Sequence, residues 1–194
     1  NYIKKLQKKI ILIFFSSAAV YGNHNSKLIP ISTYGKNKLK SERYLINNLN
    51  KKNRIIILRY YSIFGSGLKK QLIWDACKKI KENKLIFFGT GNEKRSWVHI
   101  NDAIDLAIYS CNKLRKRINI LDCHSYNVYK NKDIIDRLIK FYGSNKKPFF
   151  NKKKDKFAPK NQIPYSHKLK KLGWKPKVKI DKGLKEYVKW FKKN

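Results

Sequence analysis

The chain has 194 residues, 42% of them apolar, which suits one ordinary domain with a sizeable core. Its charge is lopsided: 47 Lys+Arg against 12 Asp+Glu give +35 at pH 7, a balance that invites a nucleic-acid or anionic-surface partner. Only seven of those basic residues are Arg, the type favoured for phosphate and base recognition, and the lysines run along the whole chain, so an AT-rich coding bias is the better account and no specific nucleic-acid partner is expected.

Residues 1–9 read as the end of a helix leading into a strand. Residues 10–16 are a short, continuous apolar run, the pattern of a central parallel strand buried on both faces. Its C-terminal end delivers Ser17, and catalytic groups of open α/β sheets gather at such ends. Residues 21–32 form a polar loop broken by Gly22, Asn23, Asn25 and Pro30. Residues 33–50 read as a helix with Leu39, Tyr44, Leu45 and Leu49 on an approximate apolar face. Within it Tyr34 and Lys38 are four residues apart and stack on one face. A free tyrosine, with a pKa of about 10, is a poor base at neutral pH. An ammonium nearby favours the phenolate and brings that value toward the working range. A hydroxyl such as that of Ser17 can relay the proton and orient a substrate hydroxyl.

Residues 54–60 are a second buried strand, followed by Tyr61-Ser62 and a Gly65-Ser66-Gly67 loop. A helix is expected over 69–83 with Leu72, Ile73, Ala76 and Ile80 inward. Short strands at 85–88 and 97–100 flank the Gly89-Thr90-Gly91 turn, and a helix over 101–113 takes Asn101 as its N-cap. Residues 117–123 read as the last strand. Residues 131–142 read as a helix whose core face is Ile134, Ile135, Leu138 and Ile139. Residues 145–164 are rich in lysine and proline with weak periodicity, and 184–191 form a terminal amphipathic helix. Three cysteines without close pairing and four histidines without mutual spacing give no metal-ligand pattern, and reduced thiols in a cytoplasmic protein fit best. No run of about 18 apolar residues indicates a membrane span, and the apolar stretch at 8–15 is too short for a signal peptide.

Ser17, followed by Val20-Tyr21-Gly22 and then by Tyr34-x-x-x-Lys38, resembles the extended short-chain dehydrogenase/reductase family, in particular its UDP-glucose 4-epimerase-like nucleotide-sugar epimerases. Three further stretches carry the resemblance in the family's order. They are Leu58-Arg59-Tyr60-Tyr61-Ser62-Ile63-Phe64-Gly65, then Phe88-Gly89-Thr90-Gly91 with Arg95-Ser96-Trp97-Val98-His99, then Leu172-Gly173-Trp174-Lys175-Pro176. The resemblance implies a partial Rossmann-like, doubly wound parallel α/β sheet in residues 1–65. It implies a smaller, mainly substrate-binding α/β region in 66–194, with some elements returning to the first sheet. It implies Ser17, Tyr34 and Lys38 as the catalytic set, and Ser16, Tyr34, Lys38 and Tyr61 at the NAD cofactor. Ser17, Ser62, Gln71 and Arg95 fall to the nucleotide-sugar substrate. The block from Gly67 to Asp75, Gln71 included, resembles a subgroup of bacterial polysaccharide-pathway epimerases. In the family the segment at 145–164 brings an Arg and an Asp to the nucleotide, whereas here it reads Asn151-Lys152-Lys153-Lys154-Asp155.

The activity so implied is NAD-dependent C4 epimerisation of a UDP-glucose/UDP-galactose-type sugar for surface polysaccharide synthesis, by a homodimer when intact. A 4,6-dehydratase or a 4-ketosugar reductase of the same fold is the alternative, with a basic nucleic-acid-binding protein more remote and a catalytically inactive remnant of a split gene as a third. The family's Gly-x-x-Gly-x-x-Gly turn, which holds the NAD pyrophosphate on backbone amides, does not occur in this sequence. Together with the first residue, Asn1, and the lack of any methionine, this leads to the expectation of roughly the C-terminal two-thirds of an epimerase, with an upstream fragment carrying the Gly-rich motif.

Overall fold

The computed structural model describes residues 9–24, 26–153 and 159–194. The helix end expected before Lys9, the breaker Asn25, and Lys154 and Asp155 of the lysine-rich segment lie outside them. In chain order the elements are β1 (Ile11–Ser17), a 3-10 turn (Ala18–Tyr21), α1 (Thr33–Asn48), β2 (Arg54–Tyr60), β3 (Ser62–Phe64) and α2 (Gln71–Lys81). There follow β4 (Ile86–Phe87), β5 (Lys94–His99), α3 (Ile100–Lys113), β6 (Ile118–Cys123), β7 (Val128–Lys130), α4 (Asn131–Tyr142), β8 (Phe149–Phe150), α5 (Lys168–Lys171) and α6 (Ile180–Lys193).

The first sheet is wholly parallel, in the order β1-β2-β6, with Ile11 opposite Arg54 and Ile55 opposite Ile118. Strand alternation explains its two faces. Ile55 and Ile57 point, with Leu12 and Phe14, onto Leu45 and Ile46 of α1 and onto Leu49, which caps it. Ile56, Leu58 and Tyr60 point the other way, onto Ala103, Leu106 and Ala107 of α3. Helices therefore cover both faces of β2, which is why a near-continuous apolar run is tolerated there. Each fully buried isoleucine or leucine of that run contributes about 1.5–3 kcal/mol. The strand expected to be central, β1, is instead an edge: among the described residues it pairs only with β2, and Phe15 is 54% exposed. An apolar run reports burial by neighbours, and at this edge no described strand supplies them.

The second sheet, β3-β5-β7, has β3 and β5 parallel and β5 and β7 antiparallel, and β4 with β8 forms a separate parallel pair. So 117–123 does not hold the last strand; β7 and β8 are too short to show an alternation in the sequence. Helices α2, α4 and α6 pack on this region through Ile73, Ala76, Cys77 and Ile80, then Ile134, Ile135, Leu138 and Ile139, then Leu184, Tyr187, Val188 and Phe191. The cap of α3 is His99, whose Nδ1 accepts from the Asn101 amide at 3.3 Å, so Asn101 sits inside the helix rather than before it. The C-terminal segment is pinned to α3 by two carboxylates. Asp102 accepts from the Lys177 and Val178 amides at 2.9 and 3.0 Å, and Asp105 accepts from the Trp174 indole at 2.8 Å. Among the described residues no helix is long and apolar enough to cross a membrane. Cys77 and Cys123 are buried and Cys111 half-buried, and all three are free thiols.

Candidate active site

Parallel strands that start together also end together, so β1 and β2 deliver Ser17 and Tyr61 to one end of the first sheet. At the end of β1 the Ser17 hydroxyl oxygen accepts from the Ala19 amide at 3.2 Å, which caps the 3-10 turn. Helix α1 starts on a second serine cap, with Ser32 Oγ accepting from the Gly35 amide at 3.1 Å. That cap places Tyr34 in the first turn and Lys38 one turn later. The Lys38 ammonium donates to the Phe15 carbonyl at 2.8 Å and lies 5.8 Å from the centroid of the Tyr34 ring. Tyr34 is 57% exposed, and its hydroxyl has no hydrogen-bond partner among the described residues. The structure thus brings Tyr34 and Lys38 together at the strand end that carries Ser17.

Gly35 lets this happen. A Cβ built on it would lie 2.4 Å from the Ala19 carbonyl oxygen, inside any tolerable contact, so only glycine allows α1 this close to the 3-10 turn. Gly35→Ala is expected to lose about 1–3 kcal/mol of stability through overpacking against backbone. The sign is diagnostic, because the same exchange in an unobstructed helix gains nearly 1 kcal/mol. Urea unfolding of the two proteins distinguishes them, and a more stable alanine variant would contradict the close approach.

The adjacent serine, Ser16, faces the other way, as strand alternation requires. It is buried, and its hydroxyl donates to Glu42 Oε1 at 2.5 Å. Glu42 belongs to a buried charge network that sequence reasoning missed. Its carboxylate takes a two-pronged contact from Arg59, with Nε to Oε1 at 3.0 Å and Nη2 to Oε2 at 2.6 Å. Arg59 Nη1 donates to the Tyr21 hydroxyl at 2.8 Å, which donates to Asp122 at 2.6 Å. Burial alone would lower the Arg59 pKa, but the bonds to Glu42 and the nearby Tyr21 leave it raised. The Tyr21 phenol is pushed up by burial and then by Asp122. The chain of bonds joins β1, the 3-10 turn, α1, β2 and β6 directly beneath the end that holds Ser17. Two signals in the sequence pointed to it: Glu42 lies four residues beyond Lys38, and Arg59 sits in an otherwise apolar strand, where a buried cation demands a carboxylate.

The remaining sequence-predicted residues lie elsewhere. Tyr61 is buried at the end of β2, edge-on to His124 with centroids 5.8 Å apart. Ser62 opens β3, opposite Trp97 of β5, two residues along from Arg95. The Arg95 guanidinium donates to the carbonyls of Lys94 and Lys160 at 2.9 Å and of Pro159 at 2.6 Å, tying the segment after residue 158 to β5. Burial lowers its pKa, with Glu93 acting in the opposite sense. Gln71 is exposed at the first position of α2 with φ +68°, a left-handed conformation that costs a non-glycine residue about 1–3 kcal/mol.

Over its whole length the chain is 28% identical to a protein of Methanocaldococcus jannaschii described as "Putative UDP-glucose 4-epimerase", of which it covers 68%. It is 27% identical, over 97% of its length, to the ADP-L-glycero-D-manno-heptose-6-epimerase of Brachyspira hyodysenteriae and covers 65% of that protein. The solved structure of UDP-glucuronic acid 4-epimerase from Bacillus cereus, in complex with UDP-glucuronic acid and NAD, is 25% identical. It superposes with a TM-score of 0.84 over 98% of this chain and 63% of that one. The chain therefore spans about two thirds of the length of these relatives. Residues 1–128 match the NAD dependent epimerase/dehydratase family, and the chain belongs to it.

Proposed function

We propose that this chain carries the catalytic and substrate-side part of an NAD-dependent enzyme that epimerises a nucleotide-activated hexose at C4. The observation that carries the reading is the Lys38 ammonium, fixed at 2.8 Å on the Phe15 carbonyl and set beside the exposed Tyr34 ring. Tyr34, whose phenol oxygen has no partner among the described residues, would take the proton of the sugar's C4 hydroxyl as its phenolate. Lys38 supplies a fixed positive charge beside the phenol oxygen, which is negative until it takes that proton. Ser17 accepts from the Ala19 amide, which leaves its own hydrogen to donate to the sugar or to Tyr34. NAD, when bound, would supply the hydride acceptor and donor that inversion at C4 requires.

The residues at this end fit the reacting half of NAD, with an open strand end, a phenol and an ammonium. In this reading Tyr61 lines the cofactor side, and Ser16 contributes backbone only, since its hydroxyl is given to Glu42. Ser62, Gln71 and Arg95 would meet the substrate diphosphate. Arg95 has three of its five N–H donors on carbonyls, which leaves two for phosphate oxygens. Residues 1–65 would then be the cofactor-side part and 66–194 mainly the substrate side, with a Gly-rich segment outside this sequence holding the pyrophosphate. Tyr44, exposed on α1, suits the helix-to-helix homodimer that the resemblance implies. The free thiols suit a cytoplasmic enzyme.

A 4,6-dehydratase needs groups that take a C5 proton and protonate the departing C6 hydroxyl. The two residues after Ser17 are Ala18 and Ala19, which transfer no protons. Supplied with a Gly-rich NAD-binding segment, the chain is expected to invert C4 of a UDP-hexose with no change of mass. Mass spectrometry and proton NMR of the product decide it. A product lighter by one water would replace epimerisation by dehydration, and consumption of reduced cofactor would replace it by ketosugar reduction.

A further inference from the structure

The far end of the first sheet, where β1, β2 and β6 begin, opens into a cavity of about 570 Å³. It lies on the order of 20 Å along the strands from Ser17, as six steps of about 3.3 Å require. Its size falls within the usual range of small-molecule sites, roughly 300–1,000 Å³. Lys9, Lys51, Arg115 and Arg117 line it together with Lys52, which has a partner of its own, and among the described residues no carboxylate does. Among the described residues none of these four cations has a side-chain hydrogen bond or ion pair. Arg54, also in the lining, is already spent: it donates to the Leu114 and Cys111 carbonyls at 2.5 and 3.3 Å, satisfying the end of α3. Neutralising that helix end therefore does not account for the other four.

A second observation is independent of charge. Asn53 lines the same cavity and is 1% exposed. Its Oδ1 accepts from the Ile10 amide at 3.0 Å, while its Nδ2 has no partner among the described residues. A buried amide donor left unpaired costs about 1–3 kcal/mol, and an anion oxygen is the acceptor that would remove that cost among surrounding cations. We propose that this cavity is a binding site for a small anion bearing two or more phosphates, held by the Asn53 amide and the cations of Lys9, Lys51, Arg115 and Arg117. The concave shape selects a compact polyphosphate over a duplex, which needs an extended surface.

The chain carries +35, so the test must separate this site from general attraction. Isothermal titration of the full chain with pyrophosphate at about 0.15 M salt is expected to show one site. Replacing both arginines, Arg115→Ala with Arg117→Ala, is expected to weaken binding at least tenfold. Removing the same charge from exposed positions far from the cavity, Lys175→Ala with Lys193→Ala, is expected to change it less than twofold. Asn53→Asp keeps the acceptor for Ile10 but replaces the donor with a negative charge, and is expected to abolish binding in a protein whose circular dichroism is unchanged. Titration with ADP separates the sources: equal affinity assigns the site to the diphosphate alone, and tighter binding, still lost with the two arginines, assigns it to a nucleotide. Equal losses in the arginine and lysine pairs, an affinity weaker than about 1 mM, or tighter binding of duplex DNA that the arginine pair also reduces, would overturn the proposal.

Discussion

Glu42→Ala is expected to cost the chain about 3–5 kcal/mol, the usual penalty for removing one partner of a buried ion pair. Glu42 is 1% exposed and Arg59 is 7% exposed, so water cannot replace the lost carboxylate. The Arg59 guanidinium would keep its bond to Tyr21 but lose three contacts to Glu42, and the Ser16 hydroxyl would lose its acceptor. The charge is thereby stranded on the central strand, between β1 and β6. The double replacement Glu42→Leu with Arg59→Met is expected to recover much of the loss, because apolar residues of similar volume often replace a buried pair at little net cost. Guanidinium unfolding of the single and double variants measures both quantities. A single-variant loss under about 1 kcal/mol, the scale of an exposed pair, would show that the network is wet and weak. A double variant no better than the single would show that position, not charge, is what Glu42 provides.

That network also marks the boundary of what the sequence disclosed. Helix faces with a clean 3.6-residue repeat were legible, and α4 falls on residues 131–142 with the four expected core residues. Strand β2 was equally legible, because burial on both faces leaves an unbroken apolar run. Strand β1 shows the same run yet pairs on one side only among the described residues, since composition reports the tendency to be buried and not which strand supplies the partner. In α1 the expected face included Tyr44, which is exposed, while Glu42 is buried. A charged residue reads as surface until its partner, 17 positions away in sequence, is seen on the strand beneath it. The Tyr34 and Lys38 pair was legible because its geometry is local, one turn of one helix. The ties from Arg95 to residues 159 and 160 were not, because they depend on where a segment without periodicity returns to β5.

Tyr34→Phe is expected to lower turnover by roughly 10²–10⁴, the usual worth of a positioned general base, once the chain is supplied with a Gly-rich NAD-binding segment. The exchange removes one oxygen from a ring that is 57% exposed and makes no hydrogen bond among the described residues, so stability should barely change. That separates the catalytic prediction from the folding one. If Tyr34 acts in the transition state only, kcat and kcat/KM fall together and KM stays near its parent value. Lys38→Ala should do as much or more, since it removes both the charge beside Tyr34 and the bond that fixes that charge on the Phe15 carbonyl. Lys38→Arg gives a useful contrast: it keeps the charge, but its planar fork suits a lone carbonyl less well than the compact ammonium. Partial activity with arginine and none with alanine would point to charge as the main requirement. Steady-state rates of the Tyr34→Phe enzyme within about tenfold of the parent would end the proposal that this phenol moves the proton. The proton would then have to be sought on another group at the same strand end, beginning with Ser17, whose hydroxyl hydrogen is not committed to the Ala19 amide it accepts from.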